Sequence, residues 1–164
     1  MRADERDAFD AFVRARLPEL QRFGQALTGS PHAAADLVQD ALERTLIAWP
    51  RIQSRHDPEG YVRRIMINRN ISIWRKHRRE TLVDDFPEHG AEDAHGDDAL
   101  HQALRNLPPR QRTVIVLRYY EDKTEAEIAT AMGCSAGTVK SQTSKALAKL
   151  RTAMPDGMII AEGT

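Results

Sequence analysis

From Phe9 to Trp74, and again from Leu100 to Leu150, the apolar residues of this 164-residue chain recur at every third or fourth position, and no segment alternates apolar with polar as a half-buried strand does. A chain patterned this way buries its apolar surface by packing helix on helix, which predicts an all-α fold. Phe9, Phe12, Val13, Leu17, Leu20, Phe23 and Leu27 predict one long helix with a kink at Pro18, stopped by Thr28-Gly29. Ser30-Pro31 offers an N-cap and a first-turn proline for a second helix over 31–48. Ala34, Leu37, Val38, Ala41, Leu42 and Thr45 form its buried face, and Trp49-Pro50 is expected to end it. Pro58-Glu59 opens a third helix carrying Tyr61, Val62, Ile65, Met66, Ile67, Ile71 and Trp74, with the two aromatics read as core residues.

The pattern then stops. The chain is neutral, with 24 basic and 24 acidic residues, but residues 1–80 sum to +4, residues 81–98 to −7 and residues 99–164 to +3. The acidic segment has no apolar periodicity and reads as a flexible linker between two small helical domains, residues 5–80 and 99–153, with a tail over 154–164. Two modules of this size are each marginal alone and are expected to gain stability from partners. Residues 61–79 hold seven basic side chains and no acidic one, an electropositive rod suited to a polyanion.

Past the linker, Leu100, Ala103, Leu104 and Leu107 predict a short helix, broken at Pro108-Pro109 and resumed over 110–120. Thr124-Glu125-Ala126-Glu127 has the composition of a capping box, in which hydroxyl and carboxylate each satisfy the other residue's amide. Gly133 permits a tight turn, and Ser135 caps a further helix through Leu150 with Val139, Thr143, Ala146, Leu147 and Leu150 inside. Ala129, Gly133 and Val139 at offsets 4, 8 and 14 from Glu125 are the small contact, turn and anchor of a helix-turn-helix. Its second helix offers Thr138, Lys140, Ser141, Gln142, Ser144 and Lys145, donors for phosphates and base edges, with no acidic residue from Ser135 to Arg151.

Other classes are disfavoured. No apolar run approaches the roughly 20 residues that span a bilayer, and the charged start of the chain leads into no signal-like segment, so no membrane association and a cytoplasmic location are expected. Cys134 is the only cysteine and has no disulfide or metal partner. The six histidines are scattered, and no phosphate-binding glycine loop or nucleophile elbow appears, so neither catalytic residues, metal nor cofactor is expected.

Ala35-Asp36-Leu37-Val38-Gln39-Asp40-Ala41-Leu42, Gly60 to Arg69, Leu107-Pro108-Pro109-Arg110-Gln111-Arg112, Glu127-Ile128-Ala129 and Gly133 to Ser141 together resemble a bacterial sigma factor of the extracytoplasmic-function group within the sigma-70 family. This is the short kind with only regions two and four. Leu27-Thr28-Gly29, with Asp36-Leu37-Val38-Gln39, is similar to the SigE-like branch. The resemblance covers about residues 5–153 and implies a promoter-specificity subunit of RNA polymerase, not an enzyme.

It further implies that Asp36, Gln39, Asp40 and Glu43 meet the clamp coiled coil of core RNA polymerase, and an acidic stripe at helical spacing suits a basic partner helix. The 61–79 helix takes the place of the minus-ten and strand-melting element, with Arg63, Arg64, Asn68, Arg69 and Arg75 facing DNA. Gln53, Ser54, Arg55 and His56 lie in the loop that captures a flipped-out base, where pocket and phosphate contacts must offset unstacking. Thr138, Lys140, Ser141, Gln142, Ser144 and Lys145 correspond to the minus-thirty-five reader. Lys140 and Gln142 stand where arginines are frequent, which shifts the expected base preference. Leu104, Leu107, Ile115, Val116 and Tyr119 serve as the region-four core or as the groove for the polymerase flap tip. Expected partners are core polymerase and promoter DNA, with room for an anti-sigma factor. The alternative reading is a stand-alone helix-turn-helix repressor or activator.

Overall fold

Each apolar stripe of the sequence becomes a helix. In a computed structural model describing residues 1–52, 57–81 and 99–154, the elements are α1 (Ala3–Thr28), α2 (Pro31–Ile52), α3 (Pro58–Thr81), α4 (Ala99–Arg105), α5 (Pro109–Ile115), α6 (Glu125–Met132) and α7 (Ala136–Ala153). A π-helical turn, Val116–Tyr120, continues α5. Among the described residues there is no strand. The loop Gln53, Ser54, Arg55 and His56, the acidic segment 82–98 and residues 155–164 lie outside the described residues.

The helices form two compact units. In the first, α1 packs on α2 and both pack on α3. Leu20, Phe23, Leu27, Leu37, Val38, Ala41, Val62, Met66 and Ile67 make its core. Gly24 lets α1 and α2 approach: a Cβ there would lie 3.2 Å from the Ala34 Cβ. Between these helices Gly29 adopts φ 73° and donates its N–H to Gln25 O at 2.7 Å, and the Ser30 Oγ accepts from the Ala33 amide at 3.3 Å. Both expected punctuation marks are in place.

One helix boundary differs from expectation. Helix α1 is the single helix its apolar spacing predicts and runs through Pro18. Helix α2 does not stop at Trp49-Pro50 but continues to Ile52. Trp49 and Ile52 are buried with Phe9 and Ala48, and the Phe9 ring meets Trp49 edge-on at 5.3 Å between centroids. Burial of those two side chains outweighs the one backbone bond that Pro50 removes near the helix end.

In the second unit α4 and α5 pack on α7. Gln111 to Leu117 are all buried, and Leu104 and Leu107 complete the inner face. The helix predicted over 110–120 changes character on the way. From Val116 it widens, with the Glu121 amide reaching Val116 O at 3.1 Å, five residues back, and Asp122 taking φ 51° to leave it. The capping box forms in full: the Thr124 amide donates to Glu127 Oε1 at 3.0 Å, and the Glu127 amide to Thr124 Oγ1 at 3.1 Å. The bond from the Thr124 amide, with the Thr124 hydroxyl beside it, holds the Glu127 carboxyl below the usual carboxylate range.

Arg112 holds the corner between α4 and α5. Its guanidinium is buried and donates through Nε to Leu104 O at 2.7 Å and through Nη2 to Leu107 O at 3.1 Å and to Arg105 O. Leu104 O and Arg105 O would look four residues ahead for helical donors, to Pro108 and Pro109, which have no N–H. The Leu107 amide also reaches Leu104 O, at 3.1 Å, and the arginine supplies the further donors that the prolines cannot. Burial pushes its pKa down to about 10, so it is charged at neutral pH.

Candidate nucleic-acid interface

The expected recognition helix is built as its sequence indicates. At the turn, Gly133 takes φ 64° and the Cys134 amide closes onto Ala129 O at 3.1 Å. The Ser135 Oγ accepts from the Thr138 amide at 3.1 Å and starts α7. Val139, Thr143, Ala146 and Leu150 turn inward, and Leu147 is half-buried. Lys140, Ser141, Ser144 and Lys145 are exposed and form one face at i, i+1, i+4 and i+5. Thr138 and Gln142 are half-buried at its edge, and the Thr138 hydroxyl lies 3.0 Å from Ser135 Oγ. The Lys140 Nζ stands 3.8 Å from Glu125 Oε1, so one of the two lysines of this face is tethered loosely to the start of α6.

In the first unit the candidate residues spread over two helices. Asp36, Gln39 and Glu43 are exposed on α2, and the Gln39 amide nitrogen donates to Glu43 Oε1 at 3.4 Å. Asp40 differs from them. It is half-buried and accepts from the Arg69 Nε on α3 at 2.8 Å, so two side chains expected to face different partners are bound to each other. Arg64, Asn68 and Arg75 are exposed on α3. Arg63 is not: 16% of its side chain is exposed, with the guanidinium 3.1 Å from the Glu59 carboxylate and 4.6 Å above the Phe23 ring. It ties α3 to α1 and leaves the outward cationic surface to its neighbours.

Tyr61 packs against the Phe9 and Trp49 cluster. Trp74 is half-buried with the Arg78 guanidinium 5.1 Å over its ring. From Arg75 to Glu80 the side chains of α3 are exposed, so the helix presents a basic end. A cavity of about 420 Å³ opens at the foot of α3, lined by Arg51, Ile52, Asp57, Tyr61 and Arg64. Its Asp57 also caps α3, accepting from the Gly60 amide at 2.9 Å. Among the described residues no His, Cys, Asp and Glu cluster could hold a metal, and no helix is long and apolar enough to cross a membrane. Leu104, Leu107, Ile115 and Val116 are buried in the second unit and Tyr119 is half-buried.

A three-helix unit with a cationic third helix and a second unit ending in a helix-turn-helix define a two-part protein built to handle nucleic acid. The Sigma-70 region 2 model matches residues 12–80 and the Sigma-70, region 4 model matches residues 97–150. The chain belongs to the sigma-70 family of RNA polymerase sigma factors, which are not enzymes. It is 41% identical over 148 residues to the RNA polymerase sigma-E factor of Streptomyces coelicolor, covering 87% of this chain and 84% of that protein. It is 29% identical over 159 residues to the ECF RNA polymerase sigma factor SigE of Mycolicibacterium smegmatis, covering 88% of this chain and 60% of that one. Among solved structures it resembles the sigma factor RpoE from Bartonella quintana, crystallised with the anti-sigma factor NepR, with TM-score 0.70, 26% identity, and 91% and 98% of the two chains covered. The extracytoplasmic-function resemblance read from the sequence motifs is thereby borne out.

Proposed function

We propose that this protein joins core RNA polymerase in the cytoplasm, recruits it to promoters by two DNA elements and opens the duplex at the downstream one. The observation that carries the reading is the exposed face of α7, where Lys140, Ser141, Ser144 and Lys145 stand outward on a capped helix with no acidic residue from Ser135 to Arg151. A helix of this kind, entering from a tight turn, fits a major groove and supplies hydrogen-bond donors and positive charge to it. Thr138 and Gln142 border the same face, and Gln142 suits adenine better than guanine. We assign this surface to the minus-thirty-five element.

On the first unit we assign Arg64, Asn68, Arg69 and Arg75 of α3 to the minus-ten strand, with Gln53, Ser54, Arg55 and His56 beside them in sequence. Asp36, Gln39 and Glu43 make the acidic surface we assign to the clamp coiled coil, with Asp40 at its edge, and we assign half-buried Tyr119 to the border of the flap-tip surface. RNA synthesis itself belongs to the polymerase. The similarity to RpoE, whose solved partner is an anti-sigma factor, supports an anti-sigma factor as a further partner of this chain.

Run-off transcription with purified core RNA polymerase, genomic promoter fragments and this protein as the only added factor tests the reading. Specific transcripts sharing two upstream elements are expected. A protein that shifts duplex DNA by itself yet neither binds core polymerase nor starts transcripts would instead be a stand-alone repressor or activator.

A further inference from the structure

Asp40 takes two guanidiniums on a single oxygen. The Nε of Arg69 on α3 donates to its Oδ2 at 2.8 Å, and the Nε of Arg44 on α2 lies 3.3 Å from the same atom. Sharing that oxygen brings the two Nε atoms within about 6 Å of each other across the seam between two helices. Two positive charges face one negative charge, so the cluster keeps one unit of positive charge. The Arg44 and Arg69 side chains are 51% and 37% exposed. Among the described residues, the hydrogen bond of Arg69 uses Nε, which leaves the two-pronged Nη edge unspent. That edge matches the oxygens of a phosphate.

We propose that Arg44 and Arg69, held by Asp40, form a clamp for one phosphodiester of single-stranded DNA. The clamp extends the cationic surface of α3 sideways onto α2, and Arg44 enters the site although its own helix carries the acidic stripe. Asp40 is a positioning residue: without a carboxylate between them, two guanidiniums this close would repel and lose their common orientation. Because the pair is already ordered, binding a phosphate immobilises less side-chain freedom than gathering two free arginines would. The inference rests on the strand-handling role proposed for α3.

The test is binding of the full-length chain to a fluorescent deoxyoligonucleotide, without polymerase, across a salt titration. Arg44→Gln and Arg69→Gln are each expected to weaken binding about threefold or more and to lower the salt slope by about 0.7, the value for one phosphate on a single strand. The double variant is expected to lose no more slope than either single variant, since both arginines serve one phosphate. Arg16→Gln, on α1 and paired with Glu19 and Glu59, is the control and is expected to bind as wild type. An Arg44→Gln protein, folded by circular dichroism, that binds with unchanged affinity and slope overturns the clamp. So does a double variant whose slope loss is twice that of the singles, or a wild-type chain with no measurable binding at low salt. If the wild type shows this signature but starts no transcripts with core polymerase, the promoter reading fails and the clamp stands.

Discussion

Replacing Arg112 with methionine removes the three donors that close the corner between α4 and α5 while keeping an apolar stem of similar reach. A hydrogen bond from a charged group contributes roughly 1.5–3 kcal/mol, so the three bonds to Leu104, Arg105 and Leu107 carbonyls sum to several kcal/mol. Removing a buried charge returns part of this through its lost desolvation cost, which leaves a net loss of about 3 kcal/mol. A unit of this size holds roughly 3–8 kcal/mol in total, so the second unit loses a large share of its stability. Its melting temperature is expected to fall by more than about 12 °C. Both tryptophans of the chain, Trp49 and Trp74, lie in the first unit, which makes the test specific. Far-ultraviolet circular dichroism reads helices of both units, whereas tryptophan fluorescence reads the first alone. The Arg112→Met protein is therefore expected to lose part of its dichroism early and to keep the wild-type fluorescence transition, with Arg112→Lys falling between. A dichroism melt within about 1 kcal/mol of wild type would refute the reasoning, because it would mean that water and the Leu107 amide satisfy these carbonyls as well as the arginine does.

Other substitutions probe the close approaches and turns. Gly24→Val places branched carbon against Ala34, where even a Cβ would stand at 3.2 Å, and is expected to lower the stability of the first unit by about 1–3 kcal/mol in chemical denaturation followed by tryptophan fluorescence. Gly133→Ala forces a Cβ into a φ of 64° with open space around it, so strain alone is expected to cost about 1 kcal/mol, read as a lower dichroism midpoint. Glu127 has its folded pKa depressed by the Thr124 amide, so its contribution to the helix-turn-helix is complete at neutral pH and is lost as pH falls through that depressed value. Carbon-detected titration is expected to give a Glu127 midpoint below the ordinary 4.5, and a midpoint at or above 4.5 would contradict the capping box.

What could be read in the sequence is what short-range stereochemistry decides. The capping box at Thr124 and Glu127, the glycine turn at Gly133 and the Ser30 and Ser135 caps each depend on residues within a few positions, and each is found where the spacing places it. The exposed face of α7 follows from its 3.6-residue period once Val139 is known to turn inward. Features that depend on distant residues were not legible. Nothing near Pro50 says that Phe9, some forty residues away, will bury Trp49 and carry α2 past it. The pairing of Asp40 with Arg69 spans 29 positions, and an acidic stripe on one helix does not reveal which of its members a neighbouring helix will occupy. Arg63 looks like its six basic neighbours until Phe23 and Glu59 are placed around it. The widened turn at Val116 leaves no mark on composition, because one extra residue in a turn keeps the run of apolar residues intact. The role of Arg112 was available in principle, since two consecutive prolines after a helix announce two carbonyls without their helical i+4 donors.

The proline corner also bears on how the chain acquires its structure. The bonds that Arg112 makes to Leu104, Arg105 and Leu107 span eight, seven and five residues. Loops that short close in well under a microsecond, and helical units dominated by local contacts fold in microseconds to milliseconds. Ribosomes add roughly 5–20 residues per second, so this corner forms almost as soon as residues 104–112 have left the exit tunnel, before α7 has emerged. The carbonyls that a proline pair deprives of helical donors are thus covered during synthesis, and α7, when it emerges, meets a surface already shaped to receive it.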